Sequence, residues 1–588
     1  MPGSAGEAAG GRRAGTAGSF AIGRPAGPSL SAAAGALFAA LAALLVLYPG
    51  ALSGPFFSDD YILLDKVRDA SLGAILAPRA LAYGYWRPWS RELHFAALER
   101  AFGARPLPFH VVSVALAAAA LALFFTLARR LLGTRGAVLA GCGVAALAAW
   151  ELPVRWPAAA QDLWMLVWGL ASLNAFASGR TARACAALAL ALLSKETAAV
   201  LPAIALAWAA AIERLPPARA ARRAVPLAAV VLAWLAVHPA LGGRWWWGSG
   251  VRLPAAVYQS PATAMLRSVL ASFNLDAVLR PRIGFLPALG FALPGVALLS
   301  SCAAWAARGA PPASGDPPPR SVALFGGAWA VLAWLPLALP FLIWQPYYAL
   351  MGAMGAWIAI VAGLLRRPCL VVLVVATLAL IRVARIETPV REWGDAVLHS
   401  EGRRFMERTR AFLALHHPAL PAGARLYFGG VPRGMVFVTG AGDAPALRVW
   451  YGRGAYGDIW SDYHARLLGR PGADYFFIYD PDRGWREIIA GREDVPASQR
   501  ADPDWRPDHE RLALTFTNAG DSRAAGAEYA KLAFAYPTRA DYAYLAGLSA
   551  EAAGDPVGAL LWYAEAVKRP GADEEMQQRW ERARRGAR

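Results

Sequence analysis

Charge is what this 588-residue chain is short of: Asp, Glu, Lys and Arg supply 17% of it, against 57% hydrophobic residues. That balance excludes a disordered chain and an ordinary soluble protein, and the mean hydropathy of +0.35 describes a polytopic membrane protein. Cysteine is equally scarce. Cys142, Cys185, Cys302 and Cys369 all lie in or beside apolar runs, so neither a disulfide framework nor a thiolate zinc site is encoded. There is no P-loop, no GxSxG with its partners, no HExxH and no His/Cys cluster, which removes support for ATP-driven transport and zinc hydrolysis. No metal and no cofactor are expected. Lysine occurs four times against 55 arginines, a ratio that fits a GC-rich bacterial genome.

The net charge of +18 would suggest nucleic acid if it formed one patch. It does not. Residues 386–588 hold 27 basic and 28 acidic residues, leaving 32 basic and 13 acidic on the apolar part before them. The excess is a membrane-topology signal, so no nucleic-acid partner is expected.

Residues 1–30 are a Gly/Ala/Ser-rich tail of low complexity, read as cytoplasmic. Apolar segments follow at 31–48, 109–128, 136–150, 162–178, 182–194, 196–212, 224–241, 284–306, 321–343, 347–365 and 368–385, about eleven spans in a membrane domain at 31–385. Short basic connections (Arg129, Arg130 and Arg135; Arg180 and Arg183; Arg214, Arg219, Arg222 and Arg223; Arg308 and Arg320; Arg366 and Arg367) fall on alternate loops and mark the cytoplasmic side. An odd span count then puts the C-terminal region in the periplasm of a bacterial inner-membrane protein. Two outer loops, 51–107 and 242–283, exceed ordinary connection length and are rich in aromatics and proline, including Trp245, Trp246 and Trp247.

Beyond the last span, 391–415 has the pattern of an amphipathic helix, and 425–428 and 475–479 read as strands. The expectation is a small α/β extracytoplasmic domain at 386–505. From residue 506 the chain repeats every 34 residues, pairing Leu514 with Leu548, Gly520 with Gly554, Asp521 with Asp555 and Tyr529 with Tyr563. That period resembles tetratricopeptide repeats, and two of them should dock on the preceding domain or on a protein partner.

Four groups could carry chemistry. Adjacent carboxylates in Phe56-Phe57-Ser58-Asp59-Asp60-Tyr61, just after the first span, are costly beside hydrocarbon, and their repulsion favours a proton acceptor. The plainer reading, favoured for this motif alone, is that Ser58 or Asp59 caps a short helix. Trp86-Arg87-Pro88, then Arg91, Glu92, His94 and His110, could clamp a lipid phosphate or merely anchor the interface. Ser194-Lys195-Glu196 sets a rare lysine beside a carboxylate between two apolar runs, and Asp162 opens another. Trp344-Gln345-Pro346-Tyr347-Tyr348 is an interfacial belt or a sugar-facing surface. These ionisable residues gather at the outer face, not the midplane, which disfavours proton-coupled transport.

In that order, FFSDDY, YWRPWS, FGARPLPFH, LLSKETAAVLP and the repeat tail resemble the GT-C membrane glycosyltransferases, nearest to the transmembrane-and-tetratricopeptide-repeat O-mannosyltransferase-like group and its bacterial relatives. The resemblance implies an all-α polytopic GT-C domain that transfers a sugar from a polyprenyl-phosphate donor to a protein or glycan acceptor at the outer face, among membrane lipids. It implies catalytic Asp59 and Asp60, with Asp59 favoured as the base. Arg87, Lys195 and Glu196 belong at the donor phosphate, and His110, Asp162, Tyr347 and Tyr348 are candidate substrate contacts. Trp150-Glu151-Leu152-Pro153 replaces the His-Pro and Glu usual in the second outer loop of the group. The alternative is a non-catalytic scaffold that binds a glycolipid and recruits an envelope partner through its repeats.

Overall fold

The computed structural model describes residues 30–48, 50–77, 85–241, 260–275, 317–339, 342, 344–364, 367–386, 396–432, 444–452, 454–463, 473–491 and 501–586. Ten of the eleven apolar segments fall on helices: α1 (Leu30–Leu47), α4 (Pro106–Ala145, two segments), α5 (Ala160–Ala177), α6 (Thr181–Leu192), α7 (Leu201–Ala211), α8 (Pro217–Val237), α10 (Pro319–Trp334), α11 (Leu350–Leu364) and α12 (Pro368–Ile386). The segment at 284–306 lies outside the described residues, as do Trp245, Trp246 and Trp247. Among the described residues four stretches, Pro106–Ala145, Pro217–Val237, Pro319–Ala338 and Pro346–Leu364, are long and apolar enough to cross a membrane. The boundary expected after 128 is a break at Gly133, whose φ of 67° and ψ of 179° divide α4 in two.

Close packing in this domain uses missing side chains. A Cβ on Gly326 of α10 would stand 2.6 Å from the Gly355 carbonyl oxygen of α11, and one on Gly355 would stand 2.7 Å from that of Gly326. Reciprocal glycines let the two backbones touch, the usual route to tight helix pairs where lipid tails remove the hydrophobic drive between helices.

The first outer loop folds back over one end of these helices as α2 (Asp59–Val67), a π-helical turn (Pro88–Leu93) and α3 (His94–Phe102). Of the second loop, α9 (Pro261–Ala271) and the turn to Asn274 are described. Asn274 donates to the carbonyls of Ala146 and Leu378, at 3.0 Å each, and accepts from the Ala148 amide at 2.8 Å, tying together three segments far apart in sequence.

Beyond the membrane helices, α13 (Ala396–His416) covers one face of a four-stranded sheet: β1 (Arg425–Gly429), β2 (Tyr456–Ile459), β3 (Asp474–Asp480) and β4 (Gly484–Ile488), in the order β2-β1-β3-β4. β1 runs parallel to β2 and β3, and β3 pairs antiparallel with β4. The hairpin closes because Asp480 Oδ1 accepts the amides of Asp482 and Arg483, both at 2.8 Å. Alternation along the strands gives the sheet two aromatic faces. Phe428, Phe477 and Trp485 meet α13, where Phe412 lies 5.8 Å from Phe477 and the Trp485 indole donates to Thr409 at 2.9 Å. Tyr427, Phe476 and Ile478 face the other way.

That second face is covered by α15 (Trp505–Asn518), α16 (Ser522–Ala535), α17 (Ala540–Ala552), α18 (Pro556–Ala566) and α19 (Glu574–Gly586). Equivalent positions of the 34-residue period do equivalent work. Gly520 and Gly554 both turn at positive φ (78° and 75°), and Asp521 and Asp555 cap the next helices by accepting the amides of Ala524 and Gly558. Docking on the preceding sheet, anticipated for so short an array, is explicit: Phe516 meets Phe476 edge-on at 5.2 Å, and the Tyr463 hydroxyl donates to Asp521 at 2.8 Å.

Candidate functional site

At the end of the bundle covered by the first long loop, two connections are stitched together. The Trp89 amide donates to the Leu193 carbonyl at 3.2 Å, and the Ser90 hydroxyl to that of Ser194 at 2.8 Å. The π-helical turn at Pro88–Leu93 is thereby held on the turn between α6 and the Glu196–Val200 3₁₀ segment that leads into α7. Single π turns are locally strained and recur at functional sites.

This stitching brings residues from separate motifs together. Arg87 grips Glu196 in a fork, Nε 3.0 Å from both carboxylate oxygens and Nη2 2.6 Å from Oε2, while Nη1 donates to Gln161 Oε1 at 2.5 Å. Burial alone works against its charge, but the Glu196 carboxylate more than offsets this and holds the guanidinium above its ordinary range. Beside it, Lys195 Nζ stands 2.5 Å from Asp162 Oδ1. The same ammonium lies 4.0 Å over the Tyr348 ring and 5.5 Å from that of Tyr347, within cation–π range. Tyr85 backs Arg87 from the other side at 4.2 Å. Of the two Asp162 oxygens, Oδ2 is buried and has no hydrogen-bond partner among the described residues.

The adjacent carboxylates have different surroundings. Asp60 is fully buried, with Oδ2 accepting the Phe57 amide at 2.8 Å and Oδ1 the Ala158 amide at 2.7 Å. Burial pushes its carboxyl well above the usual range, against the pull of those two amides. Oδ1 pins the first long loop to the start of α5 and Oδ2 fixes the turn ahead of α2, so its placement is that of a structural brace. Asp59 is partly exposed, accepts the Ser58 hydroxyl at 3.3 Å, and its charge reaches Arg91 and Tyr347. The helix begins where a cap was expected, yet Ser58 makes no side-chain capping bond and stands at φ 52°. Asp60 instead reaches back to accept the Phe57 amide, just ahead of the helix. Strained backbone in a non-glycine residue costs on the order of 1–3 kcal/mol and persists where surrounding contacts over-determine it.

Two sequence candidates stand apart. His110 is fully buried on the first turn of α4, its Nε2 3.3 Å from the Gly54 carbonyl oxygen, so it braces the loop ahead of the acidic motif. His94 accepts from the Trp164 indole at 3.3 Å, and burial pushes it down to about 4. Glu92 pairs with Lys66 at 2.7 Å, joining the π turn to α2. In the Trp150-Glu151-Leu152-Pro153 motif, Trp150 is fully buried and donates to the Val144 carbonyl, and Glu151 pairs with Arg155 at 2.7 Å. Sequence reading missed Gln161, whose only signal is a polar neighbour of Asp162 at the head of an apolar helix. Among the described residues no group of three or more His, Cys, Asp or Glu could hold a metal ion.

No family model matches the chain, and no curated protein sequence matches it. Among solved structures, the crystal structure of ArnT from Cupriavidus metallidurans bound to undecaprenyl phosphate is similar at 12% identity and a TM-score of 0.44, covering 76% of this chain and 93% of that one. The apo structure of the same protein gives 14% identity and a TM-score of 0.45, covering 77% and 94%. A likeness at this level does not by itself assign an activity.

Proposed function

We propose that this protein is an integral membrane glycosyltransferase of GT-C type, moving a sugar from a polyprenyl-phosphate-linked donor to an acceptor at the outer face of the membrane. One observation carries the reading: Arg87, Lys195, Asp162, Glu196 and the Tyr347–Tyr348 pair converge at the end of an apolar bundle, and the charge of Asp59 reaches Tyr347. Cations, carboxylates and aromatic faces held in one place suit a substrate that is at once a lipid phosphate and a sugar. In the proposed step the acceptor hydroxyl attacks the anomeric carbon and gives its proton to Asp59. The bond from that carbon to the phosphate oxygen breaks, and polyprenyl phosphate leaves with the electron pair, its charge met by Lys195 and Arg87. Both cations are paired with carboxylates here, so donor binding exchanges one anionic partner for another.

The membrane is read as a bacterial inner membrane, with the N-terminus cytoplasmic and the C-terminal units outside, because the arginine-rich turns lie on alternate connections. The repeat pair is read as tetratricopeptide-like, a surface for a protein partner. The pairing of both cations favours one second reading, a non-catalytic glycolipid-binding scaffold in which Arg87–Glu196 and Lys195–Asp162 are structural ion pairs. Purified protein in liposomes, supplied with radiolabelled polyprenyl-phosphate sugars and a panel of envelope acceptors, separates the two. Release of polyprenyl phosphate with label on an acceptor supports the enzyme. Donor binding without release across the panel supports the scaffold.

A further inference from the structure

The extracytoplasmic unit touches the first outer loop on both sides of the Asp59 motif. Downstream, α14 (Pro445–Tyr451) lies along α2. Arg448 Nε is 3.0 Å from both oxygens of Asp65, and its Nη2 is 2.7 Å from Oδ2. Arg68 donates in return to the Val449 carbonyl, and the rings of Tyr61 and Trp450 meet edge to face at 5.5 Å. Upstream, Arg403 of α13 donates to the Ser53 carbonyl, and its guanidinium occupies the space a Cβ on Gly54 would need. Gly54, at φ 129°, is therefore required both for its backbone and for that approach.

Asp59 sits between these two grips, on the first turn of α2. This segment also meets the membrane helices, Asp60 at Ala158 and the Phe57 carbonyl at the Trp156 indole, while Lys66 pairs with Glu92 farther along the same loop. A nine-residue helix on a long loop is thus clamped between the membrane helices and the unit that carries the sheet. A bidentate arginine fixes direction as well as distance.

We propose that Arg448 and Arg403 are positioning residues: the extracytoplasmic unit is a clamp that sets the placement of the Asp59 carboxylate against the membrane-side cluster. This rests on the reading of Asp59 as the base for sugar transfer. Neither arginine touches the reacting atoms, so their loss acts on turnover through α2 and leaves the donor contacts of Arg87 and Lys195 in place.

The test uses full-length protein in liposomes: wild type, Arg448→Ala, Arg403→Ala, and the charge exchange of Asp65→Arg with Arg448→Asp. In transfer assays Arg448→Ala should lower kcat about 10-fold or more with donor KM within about twofold of wild type, and the exchange should recover most of it. Amide hydrogen exchange over residues 59–67 should accelerate in Arg448→Ala and return toward wild type in the exchange. Arg403→Ala should accelerate exchange over 50–58. Unchanged exchange in both single variants, or a donor KM that rises while kcat holds, overturns the proposal. If wild-type protein transfers no sugar from any donor, the reading of function fails, while the exchange measurements still decide whether the clamp exists.

Discussion

Lys195 and Asp162 form a buried pair, Nζ 2.5 Å from Oδ1, roofed by the Tyr348 ring 4.0 Å from the ammonium. The lysine is 5% exposed and the aspartate 3%, so each charge depends on the other. Removing one partner of a buried pair leaves an uncompensated charge, which costs about 3–5 kcal/mol, whereas removing both together is far milder.

Lys195→Ala should therefore lower both transfer and thermal stability. The double variant Lys195→Met with Asp162→Asn should regain most of the stability and none of the transfer. Differential scanning fluorimetry beside the transfer assay reads the two effects separately. Recovery of transfer along with stability would return the pair to a purely structural role.

Arg87 contacts Glu196 through a fork and Gln161 through a third nitrogen. A lysine keeps the charge but cannot reproduce that geometry. Arg87→Lys should weaken donor affinity by about 10-fold, on the order of 1.4 kcal/mol, measured as KM for the polyprenyl-phosphate sugar. Wild-type KM would show that charge alone suffices.

His94 is buried and held neutral down to about 4, against about 6.5 in an unfolded chain. Between these values the unfolded state binds the extra proton, so stability is present above pH 6.5 and is lost as pH falls toward 4. Thermal midpoints of wild type should drop across that window, and those of His94→Gln should drop less. Parallel curves would remove His94 as the cause.

The sequence makes the helical segments legible because apolar runs report helix positions directly, and the 34-residue period finds its helix pairs through Gly520, Gly554, Asp521 and Asp555. Residue types also flagged Arg87, Lys195, Glu196, Asp162, Tyr347 and Tyr348, since an ionisable or paired aromatic group next to an apolar run is conspicuous. Less visible was the difference between Asp59 and Asp60. It depends on two backbone amides, one of them 98 residues away at Ala158, and no local pattern encodes such a contact. Arg403 and Arg448 gave no signal at all among the 55 arginines, because their meaning comes from packing one folded unit on another.

The adjacent carboxylates give the most direct test. Asp59→Asn and Asp60→Asn are compared with wild type for transfer of radiolabelled sugar from a polyprenyl-phosphate donor, alongside folded yield and thermal midpoint. Asp60→Asn turns one acceptor oxygen into a donor facing an amide, so it should lower yield and midpoint. Asp59→Asn should leave both near wild type and cut turnover by about 100-fold or more, the scale of a lost general base. Wild-type turnover in a well-folded Asp59→Asn protein would contradict the assignment of the base, and with it the central claim about this site.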